Sequence, residues 1–499
     1  MSPAPAALIR DLSDKTGTRR LLLLAIALLF VAQTLPMFHS RWVEDESWYS
    51  VSADSLVQHG RLQMPVFAPP AAQSIVDTRP PLAALTLASS FKLLGTSLVA
   101  ARLPFLLAAI AGIFLTYALG CELGGVPLGL LGAILLATEN MYFIAARTAR
   151  PEALVTALDV LGILLFVRSQ RRNSTLLAGV SGLVIGLATV SHPNGFAAAI
   201  GAGLLAIVEF RGKVAFRARS WAFVAGVLLA IAPYVAWGFS DAAHKAEMVG
   251  LYAKGQGFPL SAIGSIEKSR WADFIGVPNG RFKLPIPLPY RLHIAIALVL
   301  AAITVFRYNR RLAGQLACLL TACVVWWAFL RHPTARYIAC GAPYLSLLLG
   351  GAILALREHR PQWRKPVAAA AVFLIVSQLG GNLFLLYLYR TANYARVTSE
   401  LRTLIPRDAT VWGAMTFWMS LHDQKFYSWN RTPLPYALAH GATYLILNDR
   451  VMVNGSGFGS DDWQGVREQA EAFVAQHATL VGHAPNAFYG DLEIYRVDR

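Results

Sequence analysis

Charged side chains are scarce. Asp, Glu, Lys and Arg make up 14% of the 499 residues, where a soluble domain carries roughly a quarter. Apolar residues fill 56% of the chain, and its mean hydropathy is +0.48. One soluble core does not hide that much apolar surface, so a bilayer is the natural solvent for most of it. Cysteine is nearly absent. The four present, Cys121, Cys318, Cys323 and Cys340, sit in or at the ends of apolar runs. They read as small buried hydrophobes rather than a disulfide framework or a metal site. Acidic residues are outnumbered 28 to 44 by basic ones, for a net charge of +16. The excess does not point to nucleic acid, because it is split into short clusters between apolar runs. These are Arg168/Arg171/Arg172, Arg211/Lys213/Arg217/Arg219, Arg307/Arg310/Arg311 and Arg357/Arg360/Arg364/Lys365. Nucleic acid binding needs one basic face with stacking aromatics. Clusters of this kind are the pattern of cytoplasmic loops.

About 20 apolar residues span a bilayer. Eleven such windows are present, near 20–38, 98–121, 126–144, 151–168, 174–191, 194–210, 220–238, 291–306, 312–330, 336–356 and 366–389. Arg10, Lys15, Arg19 and Arg20 precede the first, and Pro36-Met37-Phe38-His39 follows it without a small-residue cleavage site. It reads as an uncleaved span with its N-terminus inside. Alternation then puts the four basic clusters on the cytoplasmic side. Outside fall loop 39–97, the Pro- and Gly-rich loop 239–290, and the tail 390–499. In the first loop, Asp45–His59 has helical character and stops at Gly60. Pro80-Pro81 opens Leu82–Leu94, which is short for a span and suited to lying in the interface. The tail has strand-like runs at Val411-Trp412, Tyr444–Leu447 and Glu493–Tyr495, and a helical stretch at Trp463–Gln476. The expectation is a mainly α, polytopic membrane bundle of about 11 transmembrane helices over residues 1–390. A small extracytoplasmic α/β domain follows at 391–499.

Charges near the membrane plane are costly and ask for a reason. Topology brings several to the outer edge of the bundle: Glu44-Asp45-Glu46, Arg79, Arg147/Arg150/Glu152, His192, Arg331-His332 and Arg336-Tyr337. Arginine forks suit phosphate, so carboxylates and arginines at one level suggest a site for an anionic substrate. Taken singly, each arginine reads first as a headgroup or structural contact. The acidic triplet is equally a solvated helix start, since Asp and Glu favour a first turn.

These residues resemble a family. Asp45-Glu46-Ser47-Trp48-Tyr49, followed by a helix and Gly60, resembles the "DE..Y" start of the first external loop in GT-C glycosyltransferases. The likeness is greatest to their protein-mannosyltransferase and aminoarabinose-transferase branch, glycosyltransferase families 39 and 83. Arg79-Pro80-Pro81-Leu82 resembles the branch's "KPPL" motif, with Arg where Lys is common. Phe91–Gly95 with Ala101-Arg102-Leu103-Pro104 resembles "F.LFG…ARLP". Ala146–Glu152 resembles "AR..RPE", and His332–Tyr337 with Pro343 resembles "K..RY…P". The matches run in order over roughly residues 40–350.

The resemblance implies sugar transfer from a polyprenyl-phosphate donor to a lipid, glycan or protein acceptor, with inversion, at the outer face of a bacterial inner membrane. Lipopolysaccharide is among the acceptors it implies. Asp45 is then the catalytic carboxylate, with Glu46 as the alternative base. Arg79, Arg147, Arg150, His332, Arg336 and Tyr337 are the donor-phosphate candidates. Glu44, Glu152 and His192 support them. A divalent metal on the acidic cluster stays open. The competing reading is a transporter or flippase of lipid-linked sugars. That class places its polar site near the midplane in paired repeats, whereas here the charges gather at one face.

Overall fold

The computed structural model describes residues 16–68, 75–210, 217–253, scattered positions from 264 to 274, 291–329, 335–448, 463–486 and 489–498. Each of the eleven apolar windows contains a helix. By length and composition, six described helices suffice to cross a membrane, or seven if one bent pair is a single span. The helices over 175–189, 193–209 and 292–308 are apolar but shorter, and the Glu152–Arg172 helix carries more charge. Eleven crossings is therefore a count of apolar helices, of which six pass on length and hydropathy alone.

The bundle is inside-out relative to a soluble protein. On the Arg364–Leu388 helix, Val372, Phe373, Val376 and Leu383 face outward while Gln378 and Asn382 are buried. Outward apolar residues need only lipid, whereas inward polar groups need partners. Asn382 has them. The Val126–Thr138 helix bends by 66° into Asn140–Ala146, which frees two carbonyls from the helical ladder. Gln33 Nε2 donates to Ala137 O at 2.6 Å, and Asn382 Nδ2 donates to Thr138 O at 3.1 Å. Asn382 also binds Gln33 and Asn140 at 2.8 Å each. Glu139 caps the second segment by accepting from Tyr142 N at 2.7 Å, and pairs with Arg291 at 2.5 Å. The break delivers the Asn140–Ala146 helix and the Arg147–Arg150 turn to the end of the bundle where the Glu44–His59 helix begins.

Elsewhere, small residues set the spacing. A Cβ on Gly182 would lie 2.0 Å from Phe223 O, and one on Gly226 would lie 2.2 Å from Gly179 O. The Thr175–Thr189 and Ala218–Gly238 helices thus touch backbone to backbone, as small residues permit in membranes.

In the tail, five strands form one sheet: β1 (Thr410–Gly413), β2 (Lys425–Ser428), β3 (Tyr444–Asn448), β4 (Ala478–Asn486) and β5 (Gly490–Val497), in the order β2-β1-β3-β5-β4. β1 runs parallel to β2 and β3, and β5 runs antiparallel to β3 and β4. The inner strands coincide with the three apolar runs of the sequence. The two that the sequence reading missed are the edges. β2 has four residues, and β4 carries Gly482 and Pro485, which an edge tolerates and an inner strand does not.

The sheet domain is joined to the loop that follows the first helix. Tyr489 Oη accepts from Trp42 N at 2.7 Å and donates to Trp42 O at 2.8 Å. Tyr394 N donates to His39 O at 3.0 Å, and Ser428 N donates to Val66 O at 2.7 Å.

Candidate active site

The Glu44–His59 helix starts at Val43, which is extended, and stops at Gly60, whose φ of +70° suits a residue without a side chain. Its first turn holds all three acidic residues, where the helix dipole favours negative charge. Successive helical positions point about 100° apart, so the three carboxylates leave the turn in different directions and meet different partners.

Glu46 points inward and is completely buried. Arg102 grips both of its oxygens at 2.9 Å. Ala149 N adds a bond at 2.8 Å and Val43 N one at 3.1 Å. Arg102, equally buried, also donates to the carbonyls of Met37, Phe38, Ser40 and Arg41 at 2.6–3.2 Å. One buried pair therefore ties the incoming loop, the helix start and the Ala149 turn together. Glu44 accepts from Asn430 Nδ2 of the tail domain.

Asp45 faces the open side, with its side chain 31% exposed. Arg150 and Arg336 both donate to its Oδ2, Arg336 at 2.9 Å. Burial works to raise the Asp45 pKa, but the two guanidinium charges outweigh it and hold the carboxyl below the ordinary aspartate range. Arg150 is in turn gripped by Glu152 at 2.6 and 3.0 Å. Against desolvation, these two carboxylates keep Arg150 firmly protonated.

A cleft opens beside Asp45. Arg41, Val43, Glu46, Met141, Ile144 and Ala145 line it, together with Arg147, Thr148, Arg150, Glu152 and Arg336. Arg147 is buried, and its Nε and Nη1 have no hydrogen-bond partner among the described residues. Desolvation, with Arg41 close by, pushes its pKa down. The guanidinium carbons of Arg41 and Arg147 lie 4.2 and 5.5 Å from the centre of the Tyr389 ring.

The sequence candidates thus separate. Asp45, Arg150, Arg336 and Glu152 come together, and Arg147 lines the same cleft. Arg79 is closed on itself: Nε and Nη2 each bind Asp77 at 2.7 Å, and Nη2 also binds Trp48 O at 2.6 Å. Tyr337 is buried against the His192 ring, 5.5 Å away edge-on, and His192 Nδ1 accepts from Asn194 N at 3.2 Å. His332 and Arg331 lie outside the described residues. Among the described residues no three of His, Cys, Asp and Glu converge on a metal. Glu44, Asp45 and Glu46 are each drawn to a different partner, so the triplet does not form the clustered oxygen donors that Ca²⁺ or Mg²⁺ takes.

Sequence reasoning gave no site role to Arg41, Arg102, Tyr389 or Asn430. Arg102 carried a signal, being an arginine within a 27-residue apolar helix, where a charge demands a partner. Arg41 had a weaker one, four residues before Asp45. Tyr389 and Asn430 had none: the end of the last apolar helix brings Tyr389 here, and the fold of the tail brings Asn430.

A family model described as dolichyl-phosphate-mannose-protein mannosyltransferase matches residues 78–237, about a third of the chain. No curated protein matches by sequence. Among solved structures, ArnT from Cupriavidus metallidurans bound to undecaprenyl phosphate is similar, with a TM-score of 0.64 at 13% identity over 97% of this chain and 99% of that one. The oligosaccharyltransferase AglB from Archaeoglobus fulgidus, in complex with an inhibitory peptide and a dolichol-phosphate, has a TM-score of 0.51 at 12% identity over 95% of this chain and 74% of that one. The likeness is one of fold: a GT-C membrane bundle with a small C-terminal sheet.

Proposed function

We propose that this chain is an integral-membrane glycosyltransferase. It moves a sugar from a polyprenyl-phosphate donor to an acceptor hydroxyl or amine, with inversion, at the outer face of a bacterial inner membrane. The observation that carries this reading is Asp45: an accessible carboxylate, held ionised by two arginines that also line the adjoining cleft. The fold is one in which ArnT was solved with undecaprenyl phosphate bound. Lipopolysaccharide, another envelope glycan or a protein is the acceptor. The N-terminus is cytoplasmic, and the tail beyond residue 390 is an extracytoplasmic domain.

In this reading the acceptor's N–H or O–H hydrogen-bonds to Asp45 while its lone pair attacks the anomeric carbon. The bond from that carbon to the phosphate oxygen breaks, its electron pair stays on the phosphate, and the acceptor proton passes to Asp45. A carboxylate held below its usual pKa is a weak base. Asp45 therefore orients the acceptor first and takes the proton late, when the new bond has made it acidic. Arg150 and Arg336 hold the carboxylate in place and supply positive potential at the reacting centre. Glu152 fixes Arg150. Glu46, saturated by Arg102 and two backbone amides, is assigned to the scaffold rather than to the chemistry. Arg79 is assigned to packing the first loop, since its fork is spent on Asp77.

The test uses purified protein and a synthetic undecaprenyl-phosphate sugar, following release of undecaprenyl phosphate in the presence of membrane extract as acceptor source. Wild type should release it and Asp45→Asn should not, while both bind the donor. Turnover by Asp45→Asn close to wild type would remove Asp45 from the mechanism.

A further inference from the structure

A second opening lies at the end of the bundle away from Asp45. On the Leu98–Gly124 helix, Arg102 grips Glu46 near one end and Leu123 marks the other. A rise of about 1.5 Å per residue puts them about 30 Å apart. This helix packs against Glu152–Arg172, and the Phe196–Phe210 helix packs against Arg310–Phe329. Between the two pairs lies a partly open slot of about 350 Å³. Leu123, Ile163, Val167, Leu205 and Leu319 make its wall apolar. Gln315 lines it too, only 5% exposed, and its Oε1 has no hydrogen-bond partner among the described residues. Buried polar atoms are rarely left so without a reason.

The rim is basic. Arg171 and Glu209 line the slot at the helix ends. Arg168 and Arg171 share the one carboxylate of Glu122, at 2.7 Å each, and Arg311 Nε donates to Glu209 at 2.7 Å. Arg172 and Arg310, at the same helix ends, are exposed and without an ion pair among the described residues. Read inward along the Arg310–Phe329 helix, polarity falls in steps. Charge at Arg310 gives way to an amide at Gln315, about 7 Å deeper, and to hydrocarbon at Leu319, about 6 Å deeper again. A diacyl phospholipid has the same order of phosphate, ester carbonyl and chain. Basic pockets between membrane helices favour anionic headgroups.

We propose that this slot binds one anionic phospholipid from the leaflet at that end. Its phosphate lies at the rim, in the field of Arg171, Arg172 and Arg310. No described residue's hydrogen bond fixes the Gln315 amide, so it can turn its NH2 to the slot and donate to an ester carbonyl. One acyl chain then fills the space between Val167, Leu205 and Leu319, and the lipid braces the two helix pairs against each other.

The experiment titrates the detergent-purified full-length protein with phosphatidylglycerol, and separately with phosphatidylcholine of the same chains. Quantitative native mass spectrometry reads the first lipid bound. Wild type should take its first phosphatidylglycerol at least about tenfold more tightly than phosphatidylcholine, and phosphatidylglycerol should raise its melting temperature. Arg172→Gln and Arg310→Gln, both at exposed positions, should each weaken phosphatidylglycerol about fivefold and leave phosphatidylcholine unchanged. Gln315→Leu should weaken both lipids about threefold, since both carry the ester. Val167→Phe fills the slot and should abolish the preference for phosphatidylglycerol. Equal binding of the two lipids by wild type overturns the proposal, as does unchanged phosphatidylglycerol binding by both arginine variants. A Gln315→Leu protein that melts higher than wild type and binds both lipids as before overturns it too, because the amide then meets no lipid.

Discussion

Replacing Arg102 by Met tests whether Glu46 is scaffold or chemistry. Met keeps much of the apolar stem and deletes the guanidinium. Six bonds disappear: two to Glu46 and one each to the carbonyls of Met37, Phe38, Ser40 and Arg41. Glu46 is left fully buried, with only the amides of Val43 and Ala149 as donors. Removing one partner of a buried ion pair costs roughly 3–5 kcal/mol, because the other charge stays dehydrated. That is a large share of the about 5–15 kcal/mol that holds a typical fold. Glu46→Gln should cost a similar amount, since its new NH2 group meets donors on every side. Removing both charges, as Arg102→Met with Glu46→Leu, should cost less than the two single changes added together, with a coupling of about 1–3 kcal/mol. Asp45→Asn breaks pairs that are partly solvated, where the loss is at most about 1 kcal/mol. The assay is denaturant unfolding of the detergent-purified variants, with donor turnover measured at a temperature where all remain folded. Arg102→Met within 1 kcal/mol of wild type would refute the burial argument. A stable Glu46→Gln with no turnover would refute the division of labour between Asp45 and Glu46.

Three further outcomes are expected. Because Arg150 and Arg336 lower the Asp45 pKa, turnover should stay level through neutral pH and fall only as the pH drops below the ordinary aspartate value. Arg336→Met should move that acid limb upward in a pH–rate profile, and the stability that Asp45 lends above its unfolded pKa should be lost as pH falls through its folded one. Gly182→Val should force apart two helices whose backbones meet at 2.0 Å from an added Cβ, costing about 1–3 kcal/mol and visible as a lowered melting temperature. Tyr489→Phe should delete both bonds to Trp42, cost about 1–3 kcal/mol, and lower turnover with little change in undecaprenyl phosphate affinity.

What was readable in the sequence was whatever repeats or is expensive. Apolar windows and basic clusters both follow from the cost of charge in hydrocarbon, and the helices fall where those windows are. The Glu44–His59 helix was legible because its start is acidic and glycine follows its end. Asp45, Arg150, Glu152 and Arg336 were named within a larger group, with Arg79, Arg147, His192, His332 and Tyr337, because the expected topology brings their loops to one level. The separate directions of Glu44, Asp45 and Glu46 were not legible. That division depends on Arg102 and Asn430, which approach from 56 and 386 positions away. Arg79 was read as a phosphate ligand from its motif, and nothing local revealed that Asp77, two residues earlier, would occupy its fork. Span length was also blurred, because a helix broken at Glu139 and one that is continuous have the same apolar content.

The pair of hydrogen bonds between Tyr489 and Trp42 bears on how such a protein diversifies. A hydroxyl that both receives from and gives to one residue fixes orientation as well as distance, and that residue lies three positions before Asp45. The tail is therefore not a freely exchangeable attachment. Grafting a tail from a relative to redirect acceptor choice would displace the carboxylate unless Trp42 and Glu44 travelled with Asn430 and Tyr489. These four positions, scattered over most of the chain, are expected to behave in descent as one inherited character.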